Sequence, residues 1–219
     1  MTTTFYDEAT VSLYDRLAPT YDALHRRWLR YAGGEAQASL EAAVRALMTQ
    51  SSSLLDVGCG TGTFARALIA EGMPPGNITL LDPSQAMLDQ AADLPVQRVN
   101  GRLSAIPFGD STFDIVTCAW ALETTSDLVS GIDELCRVVR PGGAICLAFC
   151  AAHKPTAAAG WLLQKSVQWR RTGRFLPHER VADCLRARGD FEVRVLPGHG
   201  PAAALLAKRV SRAEMGRTT

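Results

Sequence analysis

The stretch LLDVGCGTGTF, residues 54–64, places three glycines within five positions, directly after a short apolar run that includes an aspartate. Glycines remove side chains where a backbone turns sharply or approaches a ligand, and a helix that follows offers free N–H groups at its N-terminus. A strand, a glycine-rich turn and a helix in this order are typical of nucleotide-binding α/β proteins. The stretch therefore predicts a nucleotide site at the end of the first buried strand.

Short β-rich runs alternate with helical patterns from residue 50 onward. The predicted strands are SLLDVG (53–58), NITLLD (77–82), PVQRVN (95–100), FDIVTCAW (113–120), AICLAFC (144–150) and two more within 191–210, joined by a Pro/Gly turn. The predicted helices are 35–48, 63–72, 84–92, 126–139 and 178–189. This alternation implies right-handed crossovers. We therefore predict an α/β fold with a doubly wound, Rossmann-like sheet of seven strands, mostly parallel, with a C-terminal antiparallel hairpin.

The composition is that of an ordinary globular protein, with 219 residues, 47% hydrophobic and 21% charged residues, and a net charge of +1. The length favours a single domain over 1–219, with a helical cap over 1–50 and a core over 51–150. The balanced charge argues against nucleic acid as a main partner. The longest nearly uncharged apolar stretch, 142–152, has about half of the ~20 residues that span a bilayer, and the N-terminus lacks a signal-peptide core. We expect no transmembrane segment and a cytoplasmic location.

The six cysteines do not form a CxxC pair and mostly lie in apolar surroundings. Unpaired cysteine behaves as a small hydrophobic residue in a reducing compartment. We therefore expect buried free thiols and no metal site.

The spacing of the glycines separates two cofactor classes. A dinucleotide site requires GxGxxG or GxGxxA, and counting from Gly58 the last small residue is replaced by Thr63. Asp82 closes the next strand, where its two oxygens can accept both hydroxyls of an adenosine ribose. The alternative is that Asp82 caps the following helix, for which Ser84 is better placed. The pattern favours a nucleoside site without a pyrophosphate grip.

Four motifs in order resemble the class I S-adenosylmethionine-dependent methyltransferases, especially the quinone/lipid and small-molecule branch that is sometimes called UbiE-like. They are DVGCGTG (56–62), LLDPSQAML (80–88), IPFGDSTFDIV (106–116) and ELCRVVRPGG (134–143), and YDRLAPTYD (14–22) is similar to the segment that precedes the core in that branch. The resemblance covers about residues 14–150. It implies a transferase that uses S-adenosyl-L-methionine as cofactor and a small-molecule or lipid-like compound as methyl acceptor.

The resemblance also implies roles for matching positions. Asp56, Gly58, Cys59 and Gly60 would line the methionine end of the cofactor, and Asp82 would hold the ribose. The further positions are Pro83 and Met87, flanking the adenine; Leu103, near its edge; the residues from Ala119 and Trp120 to Leu122, at the end of the fourth strand, near the transferring methyl group; and Tyr14 and Tyr21, closing over the cofactor.

One position departs from the family pattern. Where the family reads G-D-A-x-x-L-P-F, this chain reads GRLSAIPF (101–108), so that Arg102 replaces the acid that would accept the adenine amino group. A backbone carbonyl or Asn100 would then serve instead, or the guanidinium would stack on the ring.

Several side chains are candidates for acid–base roles or acceptor binding. Glu123, just past the fourth strand, is a candidate to take a proton from the acceptor or to hold a cationic one, and a surface glutamate is the alternative reading. The histidines His153, His178 and His199 are candidate bases, with structural or solvent-exposed roles as the alternatives.

The segment GWLLQKSVQWRRTGRF (160–175) combines bulky apolar and basic residues. By the resemblance, it belongs to an acceptor lid over 151–190. An interfacial helix touching a membrane and an amphipathic helix on the core are the alternatives.

Methyl transfer from a sulfonium needs neither a catalytic triad nor a metal set, because the cofactor already carries the activation. A methyltransferase is therefore the leading hypothesis. A nucleotide-dependent oxidoreductase is disfavoured by Thr63, and a non-catalytic cofactor-binding or regulatory domain is the third reading.

Overall fold

A computed structural model of the chain describes residues 2–152, 174–198 and 200–211, with side chains from residue 8 onward. The helices in these ranges are α1 (Thr2–Leu17), α2 (Tyr21–Trp28), α3 (Gly34–Leu47), α4 (Thr63–Ala70), α5 (Gln85–Gln90), α6 (Leu128–Val138) and α7 (His178–Arg186). The strands are β1 (Leu54–Val57), β2 (Ile78–Asp82), β3 (Gln97–Asn100), β4 (Phe113–Ala119), β5 (Val139–Cys150), β6 (Phe191–Leu196) and β7 (Ala202–Arg209).

The strands form one seven-stranded sheet in the order β3-β2-β1-β4-β5-β7-β6. The first five strands pair in parallel, and β7 pairs antiparallel with both β5 and β6. This confirms the predicted α/β, mostly parallel sheet with its C-terminal hairpin. The strand order reverses between β1 and β4, and ligands of such sheets bind beyond the carboxyl ends of the strands at that point.

Apolar side chains cover both faces of the sheet. On β1, Leu55 and Val57 pack in the layer of α6 and α7, whereas Leu54 packs in the layer of α3, α4 and α5. All four residues of β1 are buried, as expected for a central parallel strand. Each fully buried leucine contributes roughly 2 kcal/mol, so these two layers hold the sheet edge in place.

The helices that flank the expected site begin and end where the local sequence directs. Gly62 precedes α4 in the left-handed conformation, and Gly72 follows the helix with φ +96° as a C-terminal cap. The hydroxyl of Ser84 accepts from the Met87 N–H (3.2 Å), so Ser84 is the N-cap of α5, as predicted.

The prediction that β5 begins at residue 144 and α6 continues to 139 is wrong. The helix ends at Val138, and β5 begins at Val139, which pairs with Phe113 ahead of a register shift. Gly142 follows with φ +83°, and a Cβ on Gly143 would approach the carbonyl oxygen of Asp114 to 2.6 Å. Glycines therefore allow an irregular strand start where Pro-Gly-Gly suggested a turn.

Two further properties bear on the class of protein. All six cysteines are free thiols, with Cys118, Cys136 and Cys146 buried. None of the helices within the described ranges is both long enough and apolar enough to cross a membrane.

Candidate active site

The glycine loop between β1 and α4 turns tightly at the carboxyl edge of the sheet. Gly58, Gly60 and Gly62 all have positive φ angles, of 69°, 54° and 72°. A Cβ on Gly58 would lie 2.2 Å from Cβ of Ala121, so no other residue fits there. The N–H groups of Gly58 and Cys59 both donate to the carbonyl of Leu81, at 2.7 and 3.1 Å. The loop is therefore fixed against the end of β2.

Asp82 connects the glycine loop to the turn after β2. Its Oδ2 accepts from the N–H of Gly60 (2.8 Å) and its Oδ1 from the N–H of Ser84 (2.9 Å). The residue is 7% exposed, and burial raises the pKa of its carboxyl to about 6 although these two N–H donors act in the opposite direction. Each carboxylate oxygen has a second lone pair, so both can still accept a ligand hydroxyl.

Asp56 lies within β1, two residues before the first glycine of the loop. Its Oδ1 accepts a 2.7 Å hydrogen bond from the hydroxyl of Thr117 on β4. The residue is 4% exposed, and burial, which outweighs the Thr117 bond, raises the pKa of its carboxyl to about 6. Asp56 therefore links the carboxyl ends of β1 and β4 through its hydrogen bond with Thr117.

A cavity joins the glycine loop, the end of β2, the turn after β4 and the N-terminal helices. Its walls are formed by Thr10, Val11, Tyr14, Tyr21, Gly58, Gly60, Asp82, Pro83, Ser84, Met87, Trp120, Ala121 and Thr124. The predicted cofactor residues that it brings together are Tyr21, Gly58, Gly60, Asp82, Pro83, Met87 and Trp120, together with Tyr14. Those that do not line it are Asp56, Cys59, Arg102, Leu103 and Ala119.

The cavity wall fits a nucleoside thioether better than a dinucleotide. One side of the cavity carries the carboxylate of Asp82, whose two oxygens can each accept a further hydrogen bond. The same side carries glycines, which have no side chain, and the apolar Pro83 and Met87. The N–H groups of Gly58, Cys59, Gly60 and Gly62, of the kind that hold a pyrophosphate in dinucleotide sites, donate instead to Leu81, Asp82 and Cys59. The ligand of this cavity is therefore expected to carry a ribose and an apolar ring system but no pyrophosphate.

The region around Arg102 differs from the expectation drawn from the sequence. The side chain of Arg102 is exposed, and that of Leu103 is buried in the core against Gly131. The amide group of Asn100 donates to the carbonyl of Pro83 at 3.0 Å and to that of Asp82 at 3.4 Å. Asn100 therefore stabilises the turn that follows Asp82, the residue predicted to bind the ribose.

Trp120, directly after β4, has an unusual backbone conformation for a bulky residue, with φ +59°. Its indole N–H donates to Oε1 of Gln37 (2.7 Å), and its ring packs edge-on against Trp28 at 5.7 Å. A Cβ on Gly33 would lie within 2.7 Å of the Trp120 ring. Strained backbone of this kind is concentrated at functional sites, and here it places the indole in the cavity wall.

Glu123 is buried, at 3% exposure, so the reading of it as a surface glutamate is wrong. Its Oε1 accepts from the N–H of Cys150 (3.1 Å), while its buried Oε2 has no hydrogen-bond partner among the residues that the structure describes. Burial raises the pKa of its carboxyl. Its charge also contributes, after burial, to the raised pKa values of Tyr14 and Tyr21, and its chain neighbour Thr124 lines the cavity.

An aromatic series links the N-terminal helices to the end of β4. The rings of Tyr14 and Tyr21 meet edge to face at 6.0 Å, Tyr21 stacks on His25 at 5.5 Å, and His25 meets Trp120 at 6.3 Å. Burial lowers the pKa of His25. We did not predict His25, Thr10, Val11 or Thr124 from the sequence. The nearness of His25 to the YDRLAPTYD segment is the only signal that pointed to it.

The structure describes only some of the other predicted acid–base and lid residues. His178 starts α7, pairs with Glu179 at 3.2 Å and does not line the cavity. His153, His199 and most of the lid candidate 160–175 lie outside the described residues. Arg174, at the end of that segment, donates to the carbonyls of Thr125 (2.6 Å) and Ser126 (3.2 Å). It therefore joins the described chain to the turn after β4.

Comparisons with known proteins agree with this geometry. Residues 55–147 match the family described as "Methyltransferase domain". A malonyl-[acyl-carrier protein] O-methyltransferase of Pectobacterium atrosepticum is 34% identical over 191 residues, which are 83% of this chain and 68% of the relative. A demethylmenaquinone methyltransferase of Lactiplantibacillus plantarum is 30% identical over 166 residues, which are 68% of this chain and 66% of the relative. The chain thus spans about two thirds of the length of these relatives.

Solved structures share the fold. The DhpI–SAH complex matches with a TM-score of 0.69 at 21% identity, covering 94% of this chain and 98% of that chain. A SAM-dependent methyltransferase of Thermotoga maritima matches with a TM-score of 0.65 at 20% identity, covering 88% and 97%.

Proposed function

Because the chain belongs to the class I S-adenosylmethionine-dependent methyltransferases, we propose that it transfers the methyl group of this cofactor to a small-molecule or lipid-like acceptor. The observation that carries the proposal is that the glycine loop and Asp82 share one cavity with the turn after β4 and the two tyrosines of the N-terminal helices. Cofactor-side and acceptor-side groups therefore share one space, as direct transfer between two bound molecules requires.

The cofactor-side roles follow from the residues of the wall. Asp82 holds the ribose through its two oxygens, and the backbone at Gly58 and Gly60 receives the methionine end. Pro83 and Met87 flank the adenine with apolar surface. Asp56 acts indirectly, because its bond to Thr117 fixes the strand ends on which the loop stands.

When bound, S-adenosylmethionine supplies a methyl group on a positively charged sulfur, which leaves as a neutral thioether after in-line displacement. The task of the chain is to orient the acceptor, exclude water and receive a proton where the acceptor loses one. Trp120 and Ala121 line the side of the cavity where the acceptor binds, and Tyr14 and Tyr21 line it from the N-terminal helices. Glu123, with one buried oxygen that lacks a partner in the described structure, is the proton acceptor in this proposal.

The charge of the site favours an acceptor without negative charge. Asp82 lines the cavity and Glu123 lies beside it, and no basic side chain from the described ranges stands in the wall. The named relatives differ in this respect, since a malonyl carboxylate is anionic whereas a demethylmenaquinone is neutral. We therefore propose a neutral or cationic acceptor with a proton on the atom that is methylated.

The test is a methyl-transfer assay with radiolabelled S-adenosylmethionine and a cell extract, followed by partition of the product between organic solvent and water. We expect label to enter an acceptor, and a charge series of phenols, amines and carboxylic acids to show that carboxylates are the poorest acceptors. Glu123→Gln is expected to lower turnover more for phenols and amines, which lose a proton when they are methylated, than for thiolates, which are already ionised. No transfer to any acceptor, with the cofactor bound, would instead support a non-catalytic binding domain.

A further inference from the structure

The N-terminal helices carry the same dipeptide twice. Tyr14 and Asp15 lie on α1, and Tyr21 and Asp22 begin α2, seven residues later. In each pair the tyrosine lines the cavity and the aspartate does not. The aspartates are therefore placed to act on the position of the aromatic wall rather than on a ligand.

Each aspartate accepts a hydrogen bond from a hydroxyl of the sheet's carboxyl edge. The Ser84 hydroxyl donates to Oδ1 of Asp15 at 2.6 Å, and the Thr61 hydroxyl donates to Oδ1 of Asp22 at 2.5 Å. Ser84 is fully buried and Thr61 nearly so. Short hydrogen bonds to carboxylates in such surroundings are stronger than neutral ones.

The two hydroxyl donors belong to the segments that bind the cofactor in the proposed function. Thr61 stands between Gly60 and Gly62 in the glycine loop. Ser84 caps α5, and its N–H donates to the ribose candidate Asp82. Each bond therefore ties the N-terminal helices to one half of the cofactor site.

We propose that Asp15 and Asp22 are positioning residues that hold α1 and α2 over the cofactor site and so set the rate at which the cofactor leaves. The cavity has walls from both the N-terminal helices and the sheet edge, so a ligand that fills it loses one of its two walls when these helices separate from the edge. The inference rests on the proposed function only for the identity of the ligand.

The decisive variants are Asp22→Ala, Thr61→Val and the double variant in the full chain. Thr61→Val removes the hydroxyl with little change in shape. We expect each single variant to speed the release of S-adenosylhomocysteine about tenfold, as loss of one charge-assisted hydrogen bond implies, and the double variant to be no faster than either. Release is followed by stopped-flow tryptophan fluorescence, since Trp120 lines the cavity.

Asp15→Ala tests the second tie, and Asp89→Ala is the matched control. Asp89 is an exposed carboxylate on α5 whose bond to Gln85 stays within that helix, so its loss is expected to leave release unchanged. Additive effects of Asp22→Ala and Thr61→Val, or release within twofold of wild type in both aspartate variants, would overturn the proposal.

Hydrogen exchange of the ligand-free protein separates this inference from the proposed function. Without any ligand, Asp15→Ala and Asp22→Ala are expected to speed amide exchange in residues 8–28, while Asp89→Ala leaves it unchanged. If the wild type binds no S-adenosylhomocysteine, the proposed function fails, and hydrogen exchange alone tests whether Asp15 and Asp22 hold α1 and α2 in place. Unchanged exchange in both variants would then overturn this positioning role.

Discussion

Gly58 occupies the tightest backbone position of the site. Its φ of +69° lies in the left-handed region, and an added Cβ would meet Cβ of Ala121 at 2.2 Å. The left-handed conformation alone costs a residue with a side chain about 1–2 kcal/mol. We expect Gly58→Ala to lower the free energy of unfolding by more than that amount and to weaken binding of S-adenosylhomocysteine.

Urea unfolding and titration calorimetry measure the two effects of Gly58→Ala. Gly76→Ala is the control, because Gly76 lies in the turn Pro75–Asn77 with open space where a Cβ would be. Similar losses of stability and binding in both variants would show that the site does not depend on the close approach at Gly58.

Asp56 gives the protein a pH-dependent stability with a defined sign. The folded protein keeps this proton up to about pH 6, whereas the unfolded chain releases it near pH 4. Between these values the folded state binds more protons, so the contribution of Asp56 to stability falls as the pH rises. We expect Asp56→Asn to gain about 2 kcal/mol relative to wild type between pH 4 and pH 7.

Urea unfolding of wild type and Asp56→Asn at both pH values checks this expectation. Asp114→Asn should keep a nearly constant difference from wild type over this range, because burial of Asp114 is outweighed by the Ser53 and Arg140 donors, which lower the pKa of its carboxyl, so that its contribution is lost only as the pH falls below about 4. A stability difference between wild type and Asp56→Asn that does not vary with pH would contradict the assignment.

The sequence predicts residues whose role follows from their neighbours in the chain. It does not predict residues whose role depends on contacts with segments far away in the sequence. Gly58 and Asp82 follow from the spacing of glycines and the end of an apolar run. The burial of Glu123 depends on β5, where Cys150 supplies the N–H that meets its carboxylate. The bonds of Asp15 and Asp22 likewise join segments 39 or more residues apart, which no local pattern reveals.

At the scale of elements, the N-caps of α5 and α6 allow the effect of a cap on stability to be distinguished from its effect on ligand binding. Ser84 caps α5 and also contacts Asp82 and Asp15, whereas Asp127 caps α6 through the Ser130 N–H at 3.1 Å. Loss of an N-cap costs about 1 kcal/mol. We expect both Ser84→Ala and Asp127→Ala to lose stability, Ser84→Ala more because it also loses the bond to Asp15, while only Ser84→Ala weakens binding of S-adenosylhomocysteine.

Thermal unfolding and calorimetry on the two cap variants provide the comparison. Equal affinities would indicate that the Ser84 cap has no influence on the cofactor site.

The elements themselves were predicted where hydrophobic periodicity is strong. The cores of α4, α6 and the central strands agree with the pattern of apolar residues. The start of β5 was missed because Pro-Gly-Gly is typical of a turn, and only the pairing of Val139 with Phe113 makes it a strand. The pairing partner is supplied by the sheet, so the local sequence could not indicate it.

At the scale of the whole molecule, the strand order decides where the chemistry lies. The reversal between β1 and β4 opens a crevice at the carboxyl edge, and the glycine loop, Asp82 and Trp120 all follow strands that end there. The alternation of strands and helices predicted this sheet. The covering of the crevice by α1 and α2 was implied only by resemblance, because helical periodicity does not indicate which surface a helix packs against.

The central claim is that this crevice binds S-adenosylmethionine through Asp82. Titration calorimetry with S-adenosylhomocysteine and with NADH, on wild type and on Asp82→Ala, tests it most directly. We predict that wild type binds the thioether and not NADH, and that Asp82→Ala loses about 100-fold in affinity, as two hydrogen bonds to a carboxylate imply, with the fold intact by circular dichroism. Unchanged affinity in Asp82→Ala, or binding of NADH without the thioether, would contradict it.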